Sequence, residues 1–390
     1  MEGQLRDDFR RPEFLVVDCD GHLNETKVNW KERLPKKFAE LAPQFSGAMG
    51  TPTLDYRIEG KSVNVVREEV QKSGPPVKSM KPAHLWTGRE GEVDPAKRVP
   101  DMDYEGIDVS VVFGALIPII GLVLVKDPEL AAEVTRAYND WVAMEYCAAA
   151  PTRIKGIAAL PMQFPEVAAK EVRRAKDLGL VGVYVWPHVR REPLYLEKFN
   201  VVWEACQDVD MPVCVHASPY MLAGVELFDR YFFTRIFGAG HGLMAACTFF
   251  CGYGILEKYS TLRVGLFEGH VGWAPWLADQ FDASWALISN QLPWQKTPPS
   301  EYMKCHRIFY SANPNEKSLS LSLKYIGDDR VGFNSDYSHW DGFSPDSVKM
   351  IWTREDISDE QKRKVLGANA RRFFNVTPPA GAPFGLPKGR

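Results

Sequence analysis

Short runs rich in β-branched and aromatic residues recur eight times along the chain, and polar residues gather where the runs stop. The runs are Glu13 to Asp20 (EFLVVDCD), Val109 to Gly114, Ile154 to Pro161, Leu180 to Pro187, Pro212 to Ser218 (PVCVHAS), Arg263 to His270 (RVGLFEGH), Ile308 to Asn313 and Arg330 to Asp336 (RVGFNSD). Apolar bodies with no alternation are what parallel strands buried on both faces require. Between them, apolar residues fall at three-and-four spacing in 127–150, 165–178, 195–209, 240–259, 272–290, 316–326 and 359–374, the period of helices packed on one side. Strand and helix alternate in this way after residue 105, which predicts a (β/α)8 barrel with polar strand ends collected at one mouth.

The alternation is broken in two places. Residues 26–103 hold no barrel strand, only a Pro-, Lys- and Glu-rich stretch that includes Gly74-Pro75-Pro76 and His84-Leu85-Trp86. A connection this long that leaves the end of a barrel strand is expected to be a lid over the mouth. The tail, 376–390 (VTPPAGAPFGLPKGR), is too rich in Pro and Gly for another barrel element. The whole of 1–390 is therefore read as one barrel domain carrying a lid and a tail.

Composition narrows the classes. A formal net charge of −3 over 390 residues gives no electrostatic support for a nucleic-acid partner. The first eleven residues are charged and have no apolar core, and no apolar stretch is long enough to span a bilayer, so a soluble cytoplasmic protein without membrane contact is expected. The seven cysteines include no CxxC pair and lie in apolar runs, as reduced core residues do. The lid and tail offer surface for a homo-oligomer or for a hetero-oligomer with a related subunit.

Candidate chemistry sits at the strand ends. Asp18, Asp20 and His22 are spaced by two, so a regular strand would point all three to one face. That face should be the mouth, because two carboxylates buried against the helix layer would cost several kcal/mol each, on the order of the effective penalty per buried ion. Each strand end has a plainer reading when taken alone. Asp18 could bond backbone, His216 could be a satisfied core histidine, His270 a helix cap and Asp336 an N-cap carboxylate. Several imidazoles and carboxylates at the same end of successive strands point instead to a metal site and a small-molecule substrate.

The motifs VVDCDGH, VCVHAS, GLFEGHVGWAPWLADQFD, FNSDYSHWDG and LGANARRFF, in this order, resemble the amidohydrolase-related family. This branch of the amidohydrolase superfamily includes aminocarboxymuconate-semialdehyde and resorcylate decarboxylases. The resemblance covers Phe14 to Asp20 and residues 105–376, and leaves the lid outside. It implies a divalent ion, often zinc or manganese, held by Asp20, His22, His216 and Asp336, with His270 as a ligand or a proton donor and with Asp336 and His270 in the catalytic machinery. The family's usual first-strand pair is His-x-His or Glu-x-His. Asp-x-His here favours manganese or iron over zinc, because an oxygen ligand is harder than a nitrogen one.

Two mechanisms follow. With one ion the enzyme is a hydrolase or non-oxidative decarboxylase of a small carboxylate-bearing substrate, and His270 moves the proton. With Glu25 or Glu268 bridging two ions, an oxygen-rich iron or manganese site would suit a non-heme monooxygenase; Asp18 and His339 are further spare ligands. A third reading makes the chain a partner subunit of such an enzyme. His188, Arg190 and His241 are candidate substrate contacts, Arg190 through a bidentate grip on a carboxylate. No Gly-rich dinucleotide turn follows a strand, and no Gly-x-Ser-x-Gly elbow occurs.

Overall fold

The computed structural model describes residues 9–47, 55–63, 89–217, 227–339 and 342–377. All eight apolar runs form strands: β1 (Val17–Leu23), β2 (Val109–Gly114), β3 (Ile154–Ala158), β4 (Gly182–Val185), β5 (Val213–His216), β6 (Val264–Phe267), β7 (Ile308–Ala312) and β8 (Val331–Phe333). They lie side by side in chain order in one parallel sheet. The ring closes just past β8, where Asp336 N donates to Asp20 O at 3.0 Å and His22 N to Tyr337 O at 2.5 Å. The fold is a (β/α)8 barrel.

Helices α1 (Pro95–Glu105), α2 (Pro128–Trp141), α3 (Pro165–Asp177), α4 (Asn200–Asp208), α5 (Tyr231–Gly252), α6 (Ala274–Ile288), α7 (Leu319–Ile326) and the helical rod 359–374 (α8) flank the strands. Asp127 caps α2 by accepting from the amides of Glu129 and Leu130, with Pro128 at the first position, where its missing N–H costs nothing. The first helix is a departure from the sequence reading, which left 26–103 without elements. Asp94 accepts from Ala96 N, Pro95 opens the helix, and Gly106 closes it at φ 87°, a left-handed conformation that favours glycine.

Two further departures matter for the site. Helix α5 starts at Tyr231, so His241 lies well inside it on an exposed face and does not open a helix. Strand β1 carries an extra residue between Asp18 and Gly21 relative to β2. Such a bulge breaks the two-residue alternation, so Asp18 is not a third member of the face that bears Asp20 and His22.

Packing fixes the barrel floor. Phe113, Phe267, Phe309 and Phe333 are fully buried, and Phe113 lies 5.3 Å from Phe267 and 4.9 Å from the His216 ring between centroids. Phe309 stacks on Phe373 of α8 at 4.6 Å. Each such ring contributes about 3–5 kcal/mol by the cost of truncating it to Ala. The described part of the insertion packs on α2: Trp30 is buried against Trp141 and Tyr138 at 5.7 and 6.3 Å. The tail from 378 onward and residues 64–88, with Gly74-Pro75-Pro76 and His84-Leu85-Trp86, lie outside the described residues. No helix among the described residues is long and apolar enough to cross a membrane.

Candidate metal centre

Side chains from the carboxyl ends of four strands converge. Asp20 and His22 come from β1, His216 is the last residue of β5, Glu268 follows β6, and Asp336 and His339 follow β8. His216 Nε2 is 3.4 Å from Asp20 Oδ1 and 3.2 Å from Glu268 Oε2. His22 Nε2 is 3.3 Å from Asp336 Oδ1, 3.6 Å from Asp20 Oδ1 and 3.9 Å from Glu268 Oε2. Two ligands each about 2.1 Å from one ion stand at most about 4.2 Å apart, so these separations suit a common cation.

Hydrogen bonding supports the same reading. Both oxygens of Asp20, both ring nitrogens of His22 and Nε2 of His216 are buried without a hydrogen-bond partner, a costly state unless something else engages them. His216 Nδ1 is 2.9 Å from Ala217 O. A carbonyl only accepts, so Nδ1 carries the proton and Nε2 presents its lone pair to the site. The residues therefore fit a divalent ion.

Electrostatics explains why the cluster wants one. Burial pushes the Asp20 carboxyl well above its usual range, with repulsion from Asp336 and Asp18 adding to it. Burial, then Asp336, raises Glu268 to about 8. Burial also drives the His22 and His216 imidazoles down, towards the neutral form a metal binds. Asp336 goes the other way: burial opposes its charge, but the His339 and His22 imidazoles against it pull the carboxyl down. A dication would relieve the repulsion among the carboxylates while leaving the imidazoles neutral.

The backbone is strained at the same place. Glu268, His270 and Asp336 have φ of 56°, 59° and 49°, a region that costs a side-chain-bearing residue of order 1–3 kcal/mol. Those turns aim Glu268 and Asp336 inward.

Several candidates are placed elsewhere. His270 does not join the cluster: its imidazole is 48% exposed, and Nδ1 lies 3.7 Å from Glu316 Oε2. Glu25 is no bridging ligand, because Oε1 accepts from Leu116 N and Ile117 N at 2.8 and 2.6 Å and Oε2 from Ala115 N at 3.1 Å. Asp18 is likewise engaged, by Ser335 N at 2.9 Å and by the hydroxyls of Ser335 and Ser110, each at 2.8 Å. The Arg190 guanidinium donates to Val123 O and Val125 O at 2.8 and 3.0 Å, so it is not a free carboxylate clamp. His188 accepts from Arg191 N at 3.2 Å within a short hairpin.

The sequence reading missed the brace beneath the centre. Arg98 of α1, wholly buried, donates to His22 O at 2.6 Å and to Ser110 Oγ at 3.0 Å, and lies 4.4 Å from the centroid of the Tyr337 ring. Gly21 makes room for it: a Cβ there would stand 2.4 Å from Arg98 Nη2. Glu316, which orients His270 and accepts from Val271 N and Gly272 N at 3.0 and 2.6 Å, was also missed. The Asp94-Pro95 start and Gly106 stop were the available signal for α1; nothing local marked Glu316.

A parallel eightfold barrel with imidazoles and carboxylates gathered at its mouth defines a metal-dependent enzyme of the amidohydrolase superfamily. The chain belongs to the amidohydrolase family, whose model it matches over residues 17–376. It is 29% identical over 298 residues to the gamma-resorcylate decarboxylase of Polaromonas sp. (strain JS666 / ATCC BAA-500), covering 72% of this chain and 87% of that protein. Its fold is similar to that of an amidohydrolase from Mycobacterium avium subsp. paratuberculosis K-10, with TM-score 0.74, 18% identity and coverage of 93% and 100% of the two chains. It is also similar to the 5-carboxyvanillate decarboxylase of Novosphingobium aromaticivorans DSM 12444, solved with manganese and 4-hydroxy-3-methoxy-5-nitrobenzoic acid (TM-score 0.64, 18% identity, 93% and 96% covered).

Proposed function

We propose that this protein is a manganese-dependent, non-oxidative decarboxylase of a small hydroxylated aromatic carboxylate. The observation that carries the reading is the set of unpaired buried atoms on Asp20, His22 and His216 facing Asp336. Decarboxylating relatives, one of them solved with manganese, support the chemistry and the substrate class. The intact ligand set speaks against a role as a mere partner subunit.

Asp20, His22, His216 and Asp336 would hold the ion. When bound, it neutralises the substrate's carboxylate and a neighbouring oxygen. The chain's own residues do the rest. Phe113 and Tyr184, with ring centroids 4.9 and 5.6 Å from that of His216, keep the inner side apolar and so strengthen charge interactions there. His270, paired with Glu316, is the proton donor in this reading: the carbon–carbon bond breaks to release CO2, the electron pair stays on the ring carbon, and the imidazolium proton goes to that carbon. Glu316, with Oε2 3.7 Å from Nδ1, holds the imidazole in place. The segment 26–103 would serve as the cover that limits water. Seven free thiols, most of them buried, support a reducing compartment such as the cytoplasm. Self-association fits the exposed Phe232, Phe233, Ile236 and Phe237 on α5.

Two outcomes check this reading. Under argon, the manganese-loaded protein is expected to release one CO2 per molecule of 2,6-dihydroxybenzoate or a related hydroxybenzoate consumed, followed by carbonate trapping. Turnover that stops without dioxygen would favour the monooxygenase. His270→Asn is expected to lower kcat by about 100-fold or more, within the usual 10²–10⁴ contribution of general acid catalysis, while metal content stays at the wild-type value. Elemental analysis and kinetics on one preparation decide this; parallel loss of metal and activity would make His270 a ligand.

A further inference from the structure

One side chain of the inner barrel wall carries a hydroxyl that nothing engages. Tyr184 of β4 pairs with Cys214 of β5, and paired residues of neighbouring parallel strands share a face, as do residues two apart in one strand. His216 lies two residues past Cys214, so Tyr184 points to the face that bears His216. Its ring centroid is 5.6 Å from that of His216 and 6.4 Å from that of Phe113, and Phe113 pairs with His22 of β1. The phenol therefore belongs to the wall that carries two of the metal-binding imidazoles.

The hydroxyl sets this ring apart. Tyr184 is 3% exposed, and its oxygen is buried with no hydrogen-bond partner. Three other buried phenols are satisfied: Tyr146 donates to Gly91 O at 2.5 Å, Tyr310 to Met303 O at 3.0 Å and Tyr259 to Asn200 O at 3.2 Å. The hydroxyls of Tyr56 and Tyr138 also lack partners, but those rings pack outside the strands, against Phe45 and Trp30. A buried donor left unmade is costly. Phenylalanine would supply the same wall without that cost, as Phe113 and Phe267 do nearby.

A phenol keeps its proton near neutral pH, so it offers the interior a donor. The matching acceptor is an oxygen that arrives with the substrate. In the reading above, the ion engages the carboxylate and one neighbouring oxygen, and any second oxygen on the ring then needs a donor once water is excluded.

We propose that Tyr184 is a specificity-determining residue, whose hydroxyl donates to a second ring oxygen of the aromatic carboxylate, beyond the one held with the carboxylate at the ion. This rests on the reading of the protein as a decarboxylase of hydroxylated aromatic carboxylates. It narrows the substrate class to rings with at least two oxygen substituents. A site built to hydrogen-bond a substrate oxygen discriminates against the analogue that lacks it, because its own buried group is then left unpaired.

Tyr184→Phe removes the hydroxyl alone. Manganese-loaded wild type and variant are compared on 2-hydroxybenzoate and on the 2,3-, 2,4- and 2,6-dihydroxybenzoates, each of which adds one hydroxyl, with elemental analysis and thermal melting on the same samples. Wild type is expected to favour a dihydroxybenzoate over 2-hydroxybenzoate in kcat/KM, and Tyr184→Phe to shrink that preference by about 10-fold, the scale of one hydrogen bond. Manganese content should match wild type, and the melting temperature should be equal or higher, since an unpaired buried hydroxyl is lost. An unchanged preference, a wild type that favours 2-hydroxybenzoate, or a variant that loses manganese or melts several degrees lower would overturn the assignment while leaving the decarboxylase reading intact. A wild type that releases CO2 from none of the series would overturn that reading and this assignment with it.

Discussion

Asp336→Ala is expected to lower manganese affinity by at least 100-fold and to abolish turnover while the barrel remains folded. Altering residues that merely support metal ligands already costs on the order of 10–100-fold in affinity or activity, so removing a ligand should cost at least that. Asp336 Oδ1 faces His22 Nε2 at 3.3 Å, and the backbone N–H that closes the barrel onto Asp20 O is independent of the side chain. The metal-free variant should melt within a few degrees of metal-free wild type, since a like charge beside Asp20 is removed. Elemental analysis, kinetics and thermal melting on the same samples check this. Full metal content with activity lost would make Asp336 a group acting on the substrate only.

Arg98→Met is expected to destabilise the protein by about 3–5 kcal/mol, the usual cost of removing one partner from a buried charge pair. Asp18 and Arg98 share Ser110, whose hydroxyl accepts from the guanidinium and donates to the carboxylate, and Arg98 is the cation that helps hold down a carboxyl pushed up by burial. The substitution also frees His22 O, held at 2.6 Å, so the ligand pair on β1 loses its brace. Metal affinity should fall together with stability, and Arg98→Lys should restore part of the stability but little of the geometry, since one ammonium cannot reproduce the fork. Denaturant unfolding of the three proteins measures the first effect. A loss under about 1 kcal/mol, at the level of an exposed pair, would show that the brace is dispensable.

The barrel could be read from the chain because parallel strands buried on both faces need continuous apolar runs, and all eight runs form strands. Their polar ends could be read too, which is why Asp20, His22, His216 and Asp336 lie together in space. What failed depended on contacts far away in the chain or on single-residue irregularities. Glu25 is claimed by amides some ninety residues later, and Arg190 by carbonyls more than sixty residues earlier. Asp18 left the ligand face because one extra residue in β1 shifts the alternation, an event flagged in sequence only by Gly21. His270 was read as a ligand or a proton donor from its place after β6, and its left-handed backbone directs the ring to Glu316 and away from the ligand cluster. Helix α1 was hidden by Pro100 in its interior, which reads as a break although the caps at both ends fit.

The most direct test of the account is CO2 release under strictly anaerobic conditions from a hydroxybenzoate series, using protein stripped of metal and then reloaded with manganese. The stripped protein should be inactive, and the reloaded protein should release CO2 in equal amount to the decarboxylated phenol, with deuterium from heavy water at the vacated ring carbon. Activity undiminished by complete metal removal, or product formed only when dioxygen is supplied, would contradict it.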